Sequence, residues 1–189
     1  MTLVKICGLT REDDANLAID LGANYVGFIF VKGSPRYVAP ENVRAIHGAQ
    51  KVGVFRNASL DDIHRTADVA KIDIAQLHGD ESDELIAQLQ LPAIKVFNVK
   101  DALPASTQTI ARYVMFDTGG GTGRRFDWNL LETYDREKPF FLAGGITPDN
   151  VDEALRARPD AIDLASGVES APGIKDHDKL KRLFERVKR

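Results

Sequence analysis

The chain has 189 residues, of which 43% are apolar, enough to bury one full core, and we expect a single domain over residues 1–189. Its 25 Lys and Arg residues are interspersed with 28 Asp and Glu residues, a balance that excludes the basic stripe needed for nucleic acid or an anionic membrane. The longest apolar run, YVGFIFV, is too short to span a bilayer, and the first residues turn charged before a signal-peptide core could form. We therefore expect a cytoplasmic protein whose partner is a small solute.

Short β-branched or aromatic runs alternate with segments of helical spacing along the chain. The runs predict eight strands, at residues 3–7, 25–30, 51–55, 74–78, 93–97, 113–117, 140–144 and 161–166. Helical spacing follows the first, third, fourth, seventh and eighth runs, around Ala15, Ile63, Leu85, Val151 and Leu180. Three helix starts are indicated, at Thr10, at Ser59 and at Thr147, the last with Pro148 as first helical residue.

This alternation predicts an α/β fold with a parallel sheet, since the strands are apolar enough to be buried on both faces. Eight strands, each followed by a helix, favour a single (β/α)₈ TIM barrel. Such barrels typically have about 250 residues, so several helices must be shortened, above all the one between strands five and six. An open doubly wound sheet with fewer strands is the structural alternative.

The carboxyl ends of the strands are where ligands bind in either architecture. The first strand ends in Cys7, the only cysteine, which is either core filling or a reactive thiol. Strand alternation places Lys5 on the same face as Cys7. Lys5 could be the positive neighbour that helps the thiol to ionise, or it could pair with Asp163 on the eighth strand, and the sequence leaves both options open.

Asp117 ends the sixth strand, immediately before a glycine-rich loop over residues 118–123. It could simply cap the following turn. The loop instead resembles a mobile cover, beneath which a carboxyl group would lose water, have its pKa raised and donate a proton near neutral pH.

Glycines at the ends of the last two strands predict a phosphate site. Their backbone N–H groups can approach an anion closely, and a short helix beginning at Val168 would add its positive end, although tight turns alone would also require glycine. The residues concerned are Gly144, Gly145, Ser166 and Gly167.

Three further polar residues are candidates for substrate binding. Arg36, in a loop stiffened by Pro35, could grip a carboxylate bidentately or be an ordinary surface charge. His78 and Gln76 share one face of the fourth strand, and a structural role for His78 is as plausible as a functional one.

Six parts of the chain form a recognisable pattern, in this order: KICGLT, GFIF with SPRYV, QLHGDE, FDTGGGTGRRFDW, LAGGITPDNV and SGVESAPGIKD. Taken together, they resemble phosphoribosylanthranilate isomerases of tryptophan biosynthesis, and the similarity covers almost the whole chain. The cysteine after the first strand, combined with the aspartate before GGTG and FDW, is the most specific part of the pattern.

The resemblance implies a (β/α)₈ barrel that converts N-(5-phosphoribosyl)anthranilate to 1-(2-carboxyphenylamino)-1-deoxyribulose 5-phosphate by an Amadori rearrangement, without a cofactor or metal. It implies that Asp117 is the general acid, that Cys7 is the general base and that Arg36 holds the anthranilate carboxylate. The remaining implied contacts are the phosphate site with the loop at Gly121 and Gly123, and Asp163 on a sugar hydroxyl. A monomer or a homodimer is expected.

Two other readings stay open. One is a sibling barrel enzyme, either the histidine-pathway aminoaldose isomerase, which pairs two aspartates, or indole-glycerol-phosphate synthase, which relies on lysine; Cys7 argues against both. The other is a phosphosugar-binding barrel that has lost turnover.

Overall fold

A ring of eight short parallel strands forms the centre of the computed structural model, which describes residues 2–119 and 123–187. The strands are β1 Leu3–Ile6, β2 Tyr25–Ile29, β3 Gln50–Phe55, β4 Ile74–Leu77, β5 Ala93–Asn98, β6 Tyr113–Asp117, β7 Phe140–Leu142 and β8 Ala161–Leu164. Each lies within one of the predicted runs or extends it by a single residue. β1 pairs in parallel with both β2 and β8, so the sheet closes on itself. The predicted (β/α)₈ barrel is confirmed, and the open doubly wound sheet is excluded.

The helices explain how so short a chain completes a barrel. The described residues form α1 Glu12–Leu21, α2 Leu60–Ala70, α3 Asp83–Ile86, α4 Val151–Arg156 and α5 His177–Val187. A 3₁₀ turn stands in place of a helix after β2, at Pro40–Asn42, and after β6, at Trp128–Thr133. The connection between β5 and β6 has no helix in its described residues, 99–112. The predicted shortening is confirmed, and it is greatest where helical spacing was weakest.

Of the three predicted helix starts, only one is correct. The Ser59 hydroxyl accepts a hydrogen bond from the Asp62 N–H and caps α2. Thr10 does not cap α1, because its hydroxyl donates to the Gly173 carbonyl instead. Thr147 lies too early, since α4 begins at Val151 after a turn closed by side-chain bonds between residues 147 and 150.

A small antiparallel hairpin that the sequence patterns did not predict lies between β8 and α5. Its strands are β9 Glu169–Ala171 and β10 Ile174–Lys175. The predicted helix beginning at Val168 is wrong, because the chain makes only a 3₁₀ turn, Ser166–Val168, before entering the hairpin. The hairpin turns the chain back over the carboxyl end of β1.

The inside of the barrel changes character along its axis. A cluster of buried apolar side chains fills one part of it, including Tyr25, Val52, Ile94, Met115 and Phe141. Strand alternation then turns the polar side chains nearer the carboxyl ends toward the same interior. A packed apolar floor therefore lies beneath a polar mouth. No helix in residues 2–119 or 123–187 is long and apolar enough to cross a membrane.

Candidate active site

The carboxyl end of the barrel brings the predicted acid and base to the same mouth. Cys7 directly follows β1, and Asp117 is the last residue of β6. Asp117 and Asp163 line one cavity of about 60 Å³. Asp163 also forms an ion pair with Lys5, which lies beside the Cys7 sulfur. The Lys5–Asp163 ion pair thus reaches from the surroundings of the thiol to the cavity that Asp117 lines.

Lys5 has both of the neighbours that the sequence left open. Its ammonium group is fully buried and donates a 2.8 Å hydrogen bond to Asp163 Oδ1. A Cβ atom built on Gly27 of β2 would lie 2.8 Å from Cys7 Sγ and 3.0 Å from Lys5 Nζ. The sulfur and the ammonium therefore pack against the same point of the β2 backbone.

Opposing effects act on the Cys7 thiol. Burial raises its pKa above the ordinary value, while the charges of Lys5 and Lys175 lower it and that of Asp163 raises it further. Burial prevails, so the thiol is protonated at neutral pH in the free protein. The expected help from Lys5 is present, but it does not outweigh the loss of solvent.

Asp117 has the character expected of a proton donor. Its side chain is mostly buried, and this burial raises its pKa, against lowering contributions from His78 and from the N–H groups of Gly119 and Thr118. His78 Nε2 lies 3.4 Å from Asp117 Oδ2, and burial lowers the pKa of His78. The pair is therefore a carboxyl group that retains its proton more readily than usual, beside a neutral imidazole.

Gln76 and His78 both turn toward this mouth. The Gln76 side chain is almost completely buried, and neither its Oε1 nor His78 Nε2 has a hydrogen-bond partner among the described residues. An unpaired buried polar atom is costly unless a ligand or water satisfies it. Both side chains can therefore bind a polar ligand in the mouth.

The predicted phosphate residues converge on the cavity that Asp117 lines. Gly144, Gly145, Ser166 and Gly167 all line it, together with Gly123. In the described part of the chain, the backbone N–H groups of these four residues make no hydrogen bond. Amides that converge without protein partners form an anion-binding concavity.

The loop after β6 is held at its two described ends. The Thr118 hydroxyl donates to the Arg124 carbonyl, which brings the ends together beside Gly145. Gly121, predicted to contact the substrate, lies outside the described residues, and so does the middle of the predicted cover.

Arg36 is not an ordinary surface charge. One edge of its guanidinium group, Nε with Nη2, binds the carboxylate of Glu169 at 2.9 and 2.7 Å. Its side chain lies against Gly8, next to Cys7. The other edge, with Nη1, makes no hydrogen bond to the described residues. Arg36 is thus fixed by one carboxylate and can still bind a second.

Known proteins resemble this chain in sequence along almost its whole length. The profile of a family described as N-(5'phosphoribosyl)anthranilate (PRA) isomerase matches residues 4–186. The N-(5'-phosphoribosyl)anthranilate isomerase of Geotalea uraniireducens is 42% identical over 201 residues, covering 100% of this chain and 99% of the relative. This chain belongs to the PRA isomerase family.

Solved structures of the family superpose closely on the barrel. The phosphoribosyl anthranilate isomerase from Thermus thermophilus has a TM-score of 0.90 at 39% identity, covering 99% of this chain and 98% of its own. A second isomerase, solved in complex with reduced 1-(o-carboxyphenylamino)-1-deoxyribulose 5-phosphate, has a TM-score of 0.87 at 34% identity. It covers 100% of this chain and 99% of its own.

Two residues of the mouth were missed from the sequence. Glu169 holds Arg36, and it also accepts a hydrogen bond from Lys175 Nζ at 3.0 Å. Lys175 is completely buried, and it donates to the carbonyl groups of Cys7 and Ala165. Burial alone would raise the pKa of Glu169, but Arg36 and Lys175 together lower it. No local pattern marks these residues, because their contacts depend on the hairpin.

Gly167 offers a test of the close packing around the anion cavity. A Cβ atom at this position would lie 1.9 Å from the Ile146 carbonyl oxygen. Gly167→Ala is therefore expected to lower the free energy of unfolding by at least about 3 kcal/mol, because a backbone group must move.

Gly33→Ala is the matched control for this measurement by denaturant unfolding. Gly33 has a φ of +86° and open space around it, so alanine adds only a backbone cost of about 1 to 2 kcal/mol. Equal losses in the two variants would contradict the proposed overlap at Gly167.

Proposed function

We propose that this chain isomerises N-(5-phosphoribosyl)anthranilate to 1-(2-carboxyphenylamino)-1-deoxyribulose 5-phosphate, with Asp117 as the general acid and Cys7 as the general base. The observation that carries the proposal is the combination of family membership over residues 4–186 with a carboxyl group and a thiol at the same barrel mouth. The amides beside Asp117, which have no hydrogen-bond partner in residues 2–119 and 123–187, support a phosphorylated substrate.

The first step opens the sugar ring. Protonated Asp117 donates its proton to the furanose ring oxygen, the C1–O bond breaks, and the nitrogen lone pair forms a C1=N iminium ion. The raised pKa of Asp117 supports this role, because the carboxyl group retains its proton to higher pH than an ordinary aspartate does.

The second step moves a proton from carbon. The Cys7 thiolate removes the C2 proton, whose electron pair forms a C1=C2 bond while the iminium electrons return to nitrogen. The resulting enolamine then gains a proton at C1 and loses one from the C2 hydroxyl to give the ketone. The iminium ion acidifies the C2 proton, so a thiolate is a sufficient base.

The binding groups orient the substrate between acid and base. The amides of Gly144, Gly145, Ser166 and Gly167 hold the phosphate in the cavity beside Asp117. Arg36 holds the anthranilate carboxylate through the guanidinium edge that Glu169 leaves open. Gln76, His78 and the second oxygen of Asp163 contact the opened sugar.

The central prediction concerns turnover. The unmodified chain is expected to consume phosphoribosylanthranilate with saturation kinetics. The loss of substrate fluorescence measures this consumption. Cys7→Ala and Asp117→Asn should each lower kcat by at least about 10²-fold, because each removes one positioned proton transfer.

Asp101→Asn, at an exposed carboxylate in the β5–β6 connection, is the control and should keep the full rate. A normal rate in Cys7→Ala would end the assignment of the base. An unmodified chain that binds phosphosugar without consuming it would instead support the barrel that has lost turnover.

The role of Arg36 predicts a change in substrate affinity. Arg36→Met should raise KM by about tenfold to a hundredfold, since a charged hydrogen bond contributes about 1.5 to 3 kcal/mol, while kcat changes less. Arg36→Lys should be intermediate, because it keeps the charge and loses the planar edge. Inhibition by inorganic phosphate, which uses the glycine cavity, should be unaffected. An unchanged KM in Arg36→Met would refute the carboxylate contact.

The pKa directions predict a bell-shaped pH dependence of kcat/KM. The working form needs Asp117 protonated and Cys7 ionised, whereas the pKa of both groups is raised and the thiol is the weaker acid. The rate should therefore rise with pH up to the pKa of Asp117, stay level, and fall above the pKa of Cys7.

His78→Gln tests the assignment of the acidic limb. Protonated His78, which becomes more populated as the pH falls, lowers the pKa of Asp117, so its removal should move the acidic limb to higher pH. The alkaline limb should stay in place. A shift of the alkaline limb alone would show that the two limbs had been assigned the wrong way round.

A further inference from the structure

The Cys7 sulfur lies among charged groups contributed by four parts of the fold. Lys5 comes from the same strand, Asp163 from β8, Lys175 from the hairpin, and Arg36 from the loop after β2. Glu169 is in contact with both Lys175 and Arg36. These groups differ in how many of their hydrogen-bond donors remain for the sulfur.

Lys175 has no donor left. An ammonium group has three N–H bonds, and Lys175 Nζ donates to the Cys7 carbonyl at 2.6 Å, to the Ala165 carbonyl at 3.1 Å and to Glu169 at 3.0 Å. Lys175 thus fixes the backbone of Cys7 rather than its sulfur. Arg36 likewise directs one guanidinium edge to Glu169.

Lys5 is buried like Lys175, but among the described residues it donates only one hydrogen bond, to Asp163. Its Nζ and the Cys7 sulfur approach the same point above Gly27, at 3.0 and 2.8 Å from an added Cβ atom. A side chain on β2 would fill the space where they meet. An isolated glycine within a strand often marks such a close approach.

We propose that Lys5 acts through Cys7 as a positioning residue, its ammonium group stabilising the thiolate that removes the C2 proton, and that Asp163 limits this effect. The inference rests on the proposed function for its catalytic meaning. Lys5 remains charged to do this, since Asp163 and Cys7 outweigh burial and raise its pKa.

The two members of the ion pair should act on the thiol in opposite directions. Lys5→Met removes the favourable positive charge, so the pKa of Cys7 should rise by about one unit or more. Asp163→Asn removes a negative charge and leaves Lys5 in place, so the pKa of Cys7 should fall. A residue that only supported the fold would not produce this contrast.

The thiol can be titrated directly, because Cys7 is the only cysteine of the chain. The measurement is the ultraviolet absorbance of the thiolate against pH, with Cys7→Ala as the blank. Lys51→Met is the matched control: Lys51 is another buried strand lysine, but its ammonium group donates to the carbonyl groups of Arg44 and Ala70. This control should leave the thiol pKa unchanged.

The activity profile provides a second readout. A one-unit rise in the thiol pKa should move the alkaline limb of kcat/KM up by one unit and lower the level part by up to about tenfold, since fewer molecules hold the ionised thiol. KM for the substrate should change little. Lys51→Met should keep the unmodified profile.

The outcomes separate this inference from the proposed function. An unchanged thiol pKa in Lys5→Met overturns the inference, even in an active enzyme. A shifted thiol pKa in a chain that never turns over substrate contradicts the function and, with it, the catalytic role of Lys5.

If Lys5→Met does not fold because Asp163 is left unpaired, the double variant with Asp163→Asn keeps the interior neutral. Its thiol pKa should lie above that of the unmodified chain, because the effect of Lys5 on the thiol exceeds that of Asp163. A value at or below that of the unmodified chain refutes the proposal.

Discussion

The pairing of β1 with β8 is the constraint on which both the barrel and its mouth depend. This register places Lys5 directly opposite Asp163, where the two side chains form a buried ion pair. Removing two charges from water costs several kcal/mol for each, so such a pair is weak evidence for added stability. The position of the ion pair gives it another role. Lys5 lies beside the Cys7 sulfur, and Asp163 lines the same cavity as Asp117. Closure of the sheet thus also sets the electrostatics of the site.

At each ionisable group of the mouth, the pKa depends on both the loss of solvent and the nearby charges. Around Cys7 there are three cations, Lys5, Lys175 and Arg36, and two carboxylates, Asp163 and Glu169. Burial still dominates and raises the pKa of the thiol, as it does for Asp117. Because the pKa of both groups is raised and the thiol is the weaker acid, the form that the proposed mechanism uses, with Asp117 protonated and Cys7 ionised, is a minor population. Modest changes in one neighbouring charge should therefore alter the rate directly.

Much of this arrangement could be predicted from local patterns, and the exceptions have physical reasons. The strands were predictable because a continuous apolar run indicates a strand buried on both faces, and this pattern is visible in the local sequence alone. Thr10 failed as a cap because a distant carbonyl, that of Gly173, competes for its hydroxyl. Convergence of Cys7, Asp117 and the glycines followed from strand direction alone. The contact between Arg36 and Glu169 could not be predicted, since the two residues are 133 positions apart in the chain. They meet because of a hairpin that no sequence pattern indicated.

That hairpin is an addition to a barrel in which several helices are shortened. In the described residues, the helices are reduced to turns or absent after β2, β5 and β6. Between β8 and α5 the chain instead adds β9 and β10. Lys175 of β10 binds the Cys7 carbonyl through its ammonium group, and its backbone N–H donates to Asp14 of α1. The hairpin therefore joins the last βα unit to the first, across the seam where the barrel closes. This seam carries the thiol, its two lysines and the residue that fixes Arg36, so the hairpin contributes both to closing the barrel and to building the Cys7 side of the mouth.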